Sequence, residues 1–345
     1  MSDWPMFHRD PARTGFVDEQ LRQPQRIVWL LETGDRIFHA SPVVVAGLCI
    51  CGSRDGSLYA IDCRSGEFRW ECRTGDEGDL SVSAADGTVF AGSNRDGCLR
   101  AINLQDGSVT WTFQTLGPVF ATPLETTQLV VFGSSDGYLY ALDRKDGSLN
   151  WKLNCGGEIR YAAALAGDSV FAGCANGYLH AARAGSGEIH WKFKAQGPLN
   201  CSPASDGEIV YTGSDDHHLY ALELGDGKLV WQYRTEGPVR STPALAGKVL
   251  VVTSLDGRCY ALDSETGRQL WSYRTNDAVY ASPAIAGETV VFGSTDGYLY
   301  GLELTGGRLK WRYEIGSDII SSPALCDGRI YFGAEDGRIY CLDAE

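Results

Sequence analysis

Eight of the nine tryptophans, Trp29, Trp70, Trp111, Trp151, Trp191, Trp231, Trp271 and Trp311, stand 41, 41, 40, 40, 40, 40 and 40 residues apart. A residue repeated at a fixed period of this length marks copies of one supersecondary unit, each too small to bury its apolar face alone. Only Trp4 lies outside the series. The period leaves no linker between units, so it predicts one continuous assembly in place of a row of modules.

Residues 278–315 show the content of a unit. AVYASPAI, TVVFGS, YLYGLE and RLKWRYEI are short runs rich in β-branched and aromatic residues, separated by Ala-Gly-Glu, Thr-Asp-Gly and Thr-Gly-Gly. These are strand and hairpin signals, and no long stretch keeps a 3.6-residue period. The Asp-Gly turn recurs at 55–56, 96–97, 136–137, 256–257, 296–297 and 336–337; Asn176-Gly177 is a variant and Asp216-His217 the one break. Such a turn demands positive φ, which glycine supplies at least cost. Four antiparallel strands per unit, eight times over, predict an all-β, eight-bladed β-propeller. The last unit stops after its third strand, whereas residues 25–33 hold the first tryptophan ahead of any unit. Residues 25–33 are therefore expected to supply the outer strand of blade 8. The expected organisation is one propeller over 1–345, with a lead-in at 1–24 and the blades over 36–345.

The frame Ala261-x-Asp263-x-x-Thr266-Gly267-x-x-x-Trp271 repeats as Ala60, Asp62, Ser65, Gly66, Trp70 and as Ala141, Asp143, Asp146, Gly147, Trp151. It resembles the tryptophan-docking repeat of pyrroloquinoline-quinone-type propellers. The opening Trp4-Pro5-Met6-Phe7-His8-Arg9-Asp10, followed by Arg13-Thr14-Gly15, resembles the lead-in of quinone-propeller-like proteins. The resemblance implies that each outer-strand indole packs between neighbouring blades. Dehydrogenases of this kind hold the quinone with calcium over a tryptophan platform, beside a catalytic aspartate and an adjacent-cysteine disulfide. Here every repeat is 40 or 41 residues, without insertions, and no two cysteines are adjacent. The chain is also similar to the eight-bladed propeller lipoproteins of outer-membrane assembly, which are binding scaffolds.

A formal net charge of −14, with both signs interspersed, argues against nucleic acid as a partner. The eleven cysteines are scattered, with no Cys-x-x-Cys pair and no His/Cys cluster at zinc spacing. Many unpaired thiols suit a reducing compartment. No export signal, lipidation cysteine or apolar run of membrane length is read, so a cytoplasmic chain is expected, or a periplasmic one if a signal was removed.

Within so regular a repeat, irregular positions carry the functional signal. Three residues before each proline of the Ser/Thr-Pro pairs stand His39, Phe120, Asn200, Arg240, Tyr280 and Ile320; the units lacking proline place Leu80 and Arg160 at that phase. This phase opens the inner strand at the channel mouth, where His39, Arg160, Asn200, Arg240 and Tyr280 are the candidate ligand-binding set. The broken turn Asp215-Asp216-His217-His218 is a candidate metal site, or a local turn substitution. No Ser-His-Asp or Cys-His constellation is read, and His180, in a slot that is Tyr in most units, reads as structural. The leading expectation is a monomeric, non-catalytic scaffold that binds a protein or peptide through its loop face and carries no cofactor. The alternative is a propeller that binds a quinone, with calcium, or a small anion at the mouth.

Overall fold

The structure, a computed structural model, describes residues 3–38, 40–74 and 78–344. Eight sheets of four antiparallel strands follow one another, and one carries an extra strand. Blade 4 is typical: Ala164–Ala166, Ser169–Gly173, Tyr178–Arg183 and Ile189–Lys194, from inner to outer edge. Blade 8 is built from Ala324–Cys326, Arg329–Gly333 and Arg338–Asp343, with Arg26–Glu32 as its fourth strand. Trp29 pairs with Cys341 there, so one sheet joins the two ends of the ring as the tryptophan phase implied.

The strand patterns follow from this arrangement. Second strands such as Leu129–Gly133 are buried at every position, because a neighbouring blade covers each face. Outer strands such as Leu149–Asn154 bury only their tryptophan and part of one other residue. The core lies between blades: Tyr211, Leu219 and Trp231 of one blade pack on Leu250, Val252 and Leu262 of the next.

Each indole is held by the following blade. Trp70, Trp151, Trp191 and Trp231 donate Nε1–H to Leu104, Ala184, Leu224 and Ser264 carbonyls, all at 2.9 Å. The ring lies flat against the turn glycine of that blade. A Cβ on Gly227 would come within 2.4 Å of Trp191, and its φ of 71° already favours glycine. Trp311 departs from the set, with a buried Nε1 that has no hydrogen-bond partner. Its counterpart carbonyl by repeat position, Ala344 O, accepts from Arg22 N instead, at 2.8 Å.

The lead-in is not a loose tail. Carbonyls of Trp4, Pro5, Pro11, Ala12, Thr14 and Gly15 accept from Val44, Ala84, Leu165, Ser205, Leu245 and Ile285, at 2.7 to 2.9 Å. These six donors are one repeat position on six different inner strands, whose channel edge would otherwise be unpaired. Phe16–Val17 then adds a parallel strand to Ala284–Ala286 of blade 7. The corresponding position in blade 3 is Glu125, fully buried, and the charges acting on it are Arg13, also fully buried, and Arg144. Arg13 donates to Ala163, Phe7 and Pro123 carbonyls at 3.0, 2.5 and 3.4 Å, pinning the lead-in between blades 3 and 4.

Candidate functional site

At the face that carries the loops between blades, the channel opens into a cup of about 260 Å³. Two rings of side chains line it. The lower ring is mostly hydroxyls: Ser41, Ser81, Thr122, Ser202, Thr242, Ser282 and Ser322, with Ala162 in the remaining place. Part of this ring links blade to blade, since Ser282, Ser322 and Ser41 hydroxyls accept the backbone N–H of Thr242, Ser282 and Ser322 at 2.9, 2.9 and 3.0 Å. The upper ring holds Asp79, Phe120, Arg160, Asn200, Arg240, Tyr280 and Ile320. Phe7 of the lead-in also reaches the cup and forms part of its floor.

Arg160, Asn200, Arg240 and Tyr280 are thus brought together as their phase suggested; His39 lies outside the described residues. Leu80 does not join them. It is fully buried, and Asp79 takes the upper-ring place of blade 2. The pairing Ser81↔Gly92 shows the reason. Ser81, not Val82, is the counterpart of Thr122, so the extra residue of the first 41-residue interval precedes blade 1 and shifts the alignment by one. Tyr161 also faces the cup, where burial pushes its phenol up to about 12.

The charges of the mouth are already matched. Arg240 makes a two-point bridge to Asp215, and Asn200 Nδ2 donates to the same carboxylate at 2.8 Å. Arg160 Nε donates to Glu158 at 2.6 Å, and its guanidinium lies 5.7 Å from the Phe120 ring centre. Asp79 accepts from Asn94 at 3.0 Å and faces Arg54 at 3.7 Å; burial raises its carboxyl above the usual range. An anion entering the cup would therefore meet guanidinium groups engaged with carboxylates.

The candidate metal turn splits in two directions. Asp215 turns to Arg240, while Asp216 accepts from Tyr220 and from the backbone of Gln196 and Gly197. His217 occupies the left-handed turn position at φ 71°, where the sibling turns have glycine, and His218 Nδ1 folds back to 3.0 Å from Asp216 O. Among the described residues, the group of three or more His, Cys, Asp or Glu that converges on one point is Cys155, Cys174 and His180. Sequence spacing does not reveal it, because its members come from three different strands or loops.

A quinone held with calcium does not suit this mouth. The repeat indoles are docked between blades, and Trp4 is buried against Val44 beneath the cup. The carboxylates that could bind calcium, Asp79 and Asp215, are turned to arginines.

Comparison with known proteins agrees with the architecture. The family model described as the β-propeller of the beta-alanine-activating enzyme matches residues 158–345, more than half of the chain. The chain belongs to this β-propeller family. A second model, outer membrane protein assembly factor BamB, matches residues 22–112 and 54–192, and the family is of the pyrroloquinoline-quinone-like propeller type. No curated protein sequence matches the chain. Among solved structures, the quinohemoprotein alcohol dehydrogenase from Comamonas testosteroni is 14% identical with a TM-score of 0.86, covering 99% of this chain and 80% of its own. BamB from Moraxella catarrhalis is 19% identical with a TM-score of 0.78, covering 93% and 98%. The computationally designed protein Ika8 is 18% identical with a TM-score of 0.81, covering 92% and 100%. At such identities the likeness speaks for the fold, which hosts unrelated activities.

Proposed function

We propose that the chain is a non-catalytic scaffold that docks a protein or peptide on its loop face, with one side chain of the partner seated in the cup. The observation that carries this reading is the cup itself. Its volume of about 260 Å³ falls below the roughly 300–1,000 Å³ usual for small-molecule sites. Its arginines are neutralised, its walls alternate rings and hydroxyls, and its floor is partly closed by Phe7. Leu116, on the loop before blade 3 and bonded through its N–H to the turn Asp136, is 92% exposed and offers an apolar contact for a partner on the loop face. The match to a family named for an assembly factor supports a binding role. No helix among the described residues is long and apolar enough to cross a membrane. The eleven buried cysteines, none in a disulfide, support a reducing compartment for this role.

The test is a photo-crosslinking amino acid placed at Leu116, at Phe120 and, on the opposite face, at Asp86. Irradiation in native extract should yield the same discrete adduct from the first two positions and none from Asp86. Equal labelling from Asp86, or a thermal shift of the purified chain by a small anion without any adduct, would overturn the reading.

A further inference from the structure

Four repeat positions form one hydrogen-bonded knot at the loop-face end of blades 1 and 3, and blades 6 and 7 keep the same four residue types. In blade 3, Thr115 Oγ1 donates to Gly117 O at 2.6 Å, Ser134 Oγ lies 3.3 Å from Thr115 Oγ1, and Tyr140 donates to Asp136 at 2.7 Å. The phenol-to-aspartate bond returns as Tyr220–Asp216, Tyr260–Asp256 and Tyr300–Asp296, at 2.8, 2.8 and 2.6 Å. Blade 4 replaces all four members together, and the positions read Cys155, Cys174, Asn176 and His180.

The replacements produce a different chemistry. Cys155 follows the outer strand of blade 3, Cys174 follows the second strand of blade 4, and His180 lies within its third. Cys174 Sγ is 3.5 Å from His180 Nδ1, and one ligand atom from each of the three side chains lies within 4.8 Å of the others. Their residual exposures are 5%, 0% and 1%. Asn176 donates Nδ2 to Cys155 O at 3.0 Å and so fixes the backbone that carries the first thiol. Metal–sulfur and metal–nitrogen bonds of about 2.3 and 2.0 Å in tetrahedral array put neighbouring ligand atoms roughly 3.5 to 3.8 Å apart. The sulfur–nitrogen pair already stands at that spacing.

We propose that Cys155, Cys174 and His180 form a binding site for a thiophilic divalent cation, with zinc as the representative ion. Two sulfurs and one imidazole match the soft donor preference of such ions, and a water completes the tetrahedron. Sheet ends of adjacent blades carry the ligands, so the ion would clamp blade 3 to blade 4 where the hydroxyl knot is missing. The site is separate from the cup, and the proposal does not depend on the docking reading.

Full-length chain, stripped with chelator and kept reduced, is titrated with zinc against a chromophoric competitor and with cobalt for its spectrum. The wild type should take up one equivalent at micromolar or tighter affinity, show thiolate-to-cobalt charge-transfer bands, and melt higher with zinc. The comparison variant combines Cys155→Thr, Cys174→Ser, Asn176→Asp and His180→Tyr, which copies the blade 3 knot and leaves nine other cysteines in place. It should melt cooperatively in chelator and lose both the uptake and the bands. Should that variant fold poorly, Cys155→Ser alone should weaken zinc binding at least tenfold. Zinc should also protect Cys155 and Cys174 from alkylation in the wild type. Equal uptake by wild type and variants, or no uptake by the reduced wild type, would overturn the proposal. A Cys155–Cys174 disulfide that still takes no zinc after reduction would do the same.

Discussion

Arg240 and Asp215 meet edge to edge in the cup, Nε 2.8 Å from Oδ1 and Nη2 3.1 Å from Oδ2. The bridge joins the segment leading into the inner strand of blade 6 (Ala244–Ala246) to the turn of blade 5, and it removes from the mouth the free cation that the phase of Arg240 suggested. Asp215→Ala releases that cation. The pair is partly exposed, so its loss should lower stability by about 1 kcal/mol or less. The variant should acquire a phosphate-dependent thermal shift that the wild type lacks and that adding Arg240→Ala removes. A wild type that already shifts with phosphate would show that the bridge does not block the site.

The tryptophan docks differ in one atom, and that difference is measurable. Trp191→Phe leaves Leu224 O without its donor and opens space between blades, whereas Trp311 has no acceptor to abandon. Both substitutions lose apolar contact, but only the first breaks a buried hydrogen bond, which adds about 1–3 kcal/mol. Urea melts should therefore place Trp191→Phe below Trp311→Phe by that margin. Equal losses would mean that the indole bond contributes nothing net.

Glu125 and His8 give opposite pH dependences. Burial pushes the Glu125 carboxyl up to about 7, so the folded chain keeps a proton that the unfolded chain has released. That stabilisation is complete below about pH 4.5 and is lost as pH rises through about 7. Burial pulls the His8 imidazole down to about 3, so its contribution is complete above about pH 6.5 and is lost as pH falls towards 3. Between about pH 4.5 and 6.5 the two slopes oppose each other. Glu125→Gln removes only the first, so the stability of the variant relative to wild type should climb by about 1.4 kcal/mol per pH unit there. A flat difference across that window would count against a buried, protonated Glu125.

His217 holds φ 71° at a turn where glycine serves the sibling blades, as Gly257 and Gly297 do at 79° and 83°. A left-handed conformation costs a side-chain-bearing residue roughly 1–2 kcal/mol, part of which glycine's greater unfolded freedom offsets. His217→Gly should stabilise the chain by about 0.5–1 kcal/mol, with both proteins stripped of metal so that only the turn differs. A lower melting temperature for the variant would assign the imidazole a contact worth more than the strain.

The blade count, strand order, ring seam and interblade indoles are legible in the amino-acid sequence, because each rests on local and periodic chemistry. An indole every 40 residues needs a glycine turn opposite it, and an Asp-Gly pair needs its hairpin, wherever the chain goes. The mouth is half legible. Phase alone brings Arg160, Asn200, Arg240 and Tyr280 to one ring, but it points to Leu80 where a single extra residue upstream of blade 1 makes Asp79 the lining side chain.

Other features become readable only in three dimensions. The lead-in works through its carbonyls, and backbone acceptors leave no mark in the choice of side chains. The charge state of the mouth depends on Asp215 and Glu158 reaching arginines on another loop or beside them. Cys155, Cys174 and His180 look like three conservative replacements along the chain, 19 and 6 residues apart, until adjacent blades place them within one coordination distance. The sequence by itself determined the repeating scaffold, since hydrophobic period and turn stereochemistry act between near neighbours. The tertiary structure decided which polar groups satisfy one another, because those pairings join residues that only the closed ring brings into contact.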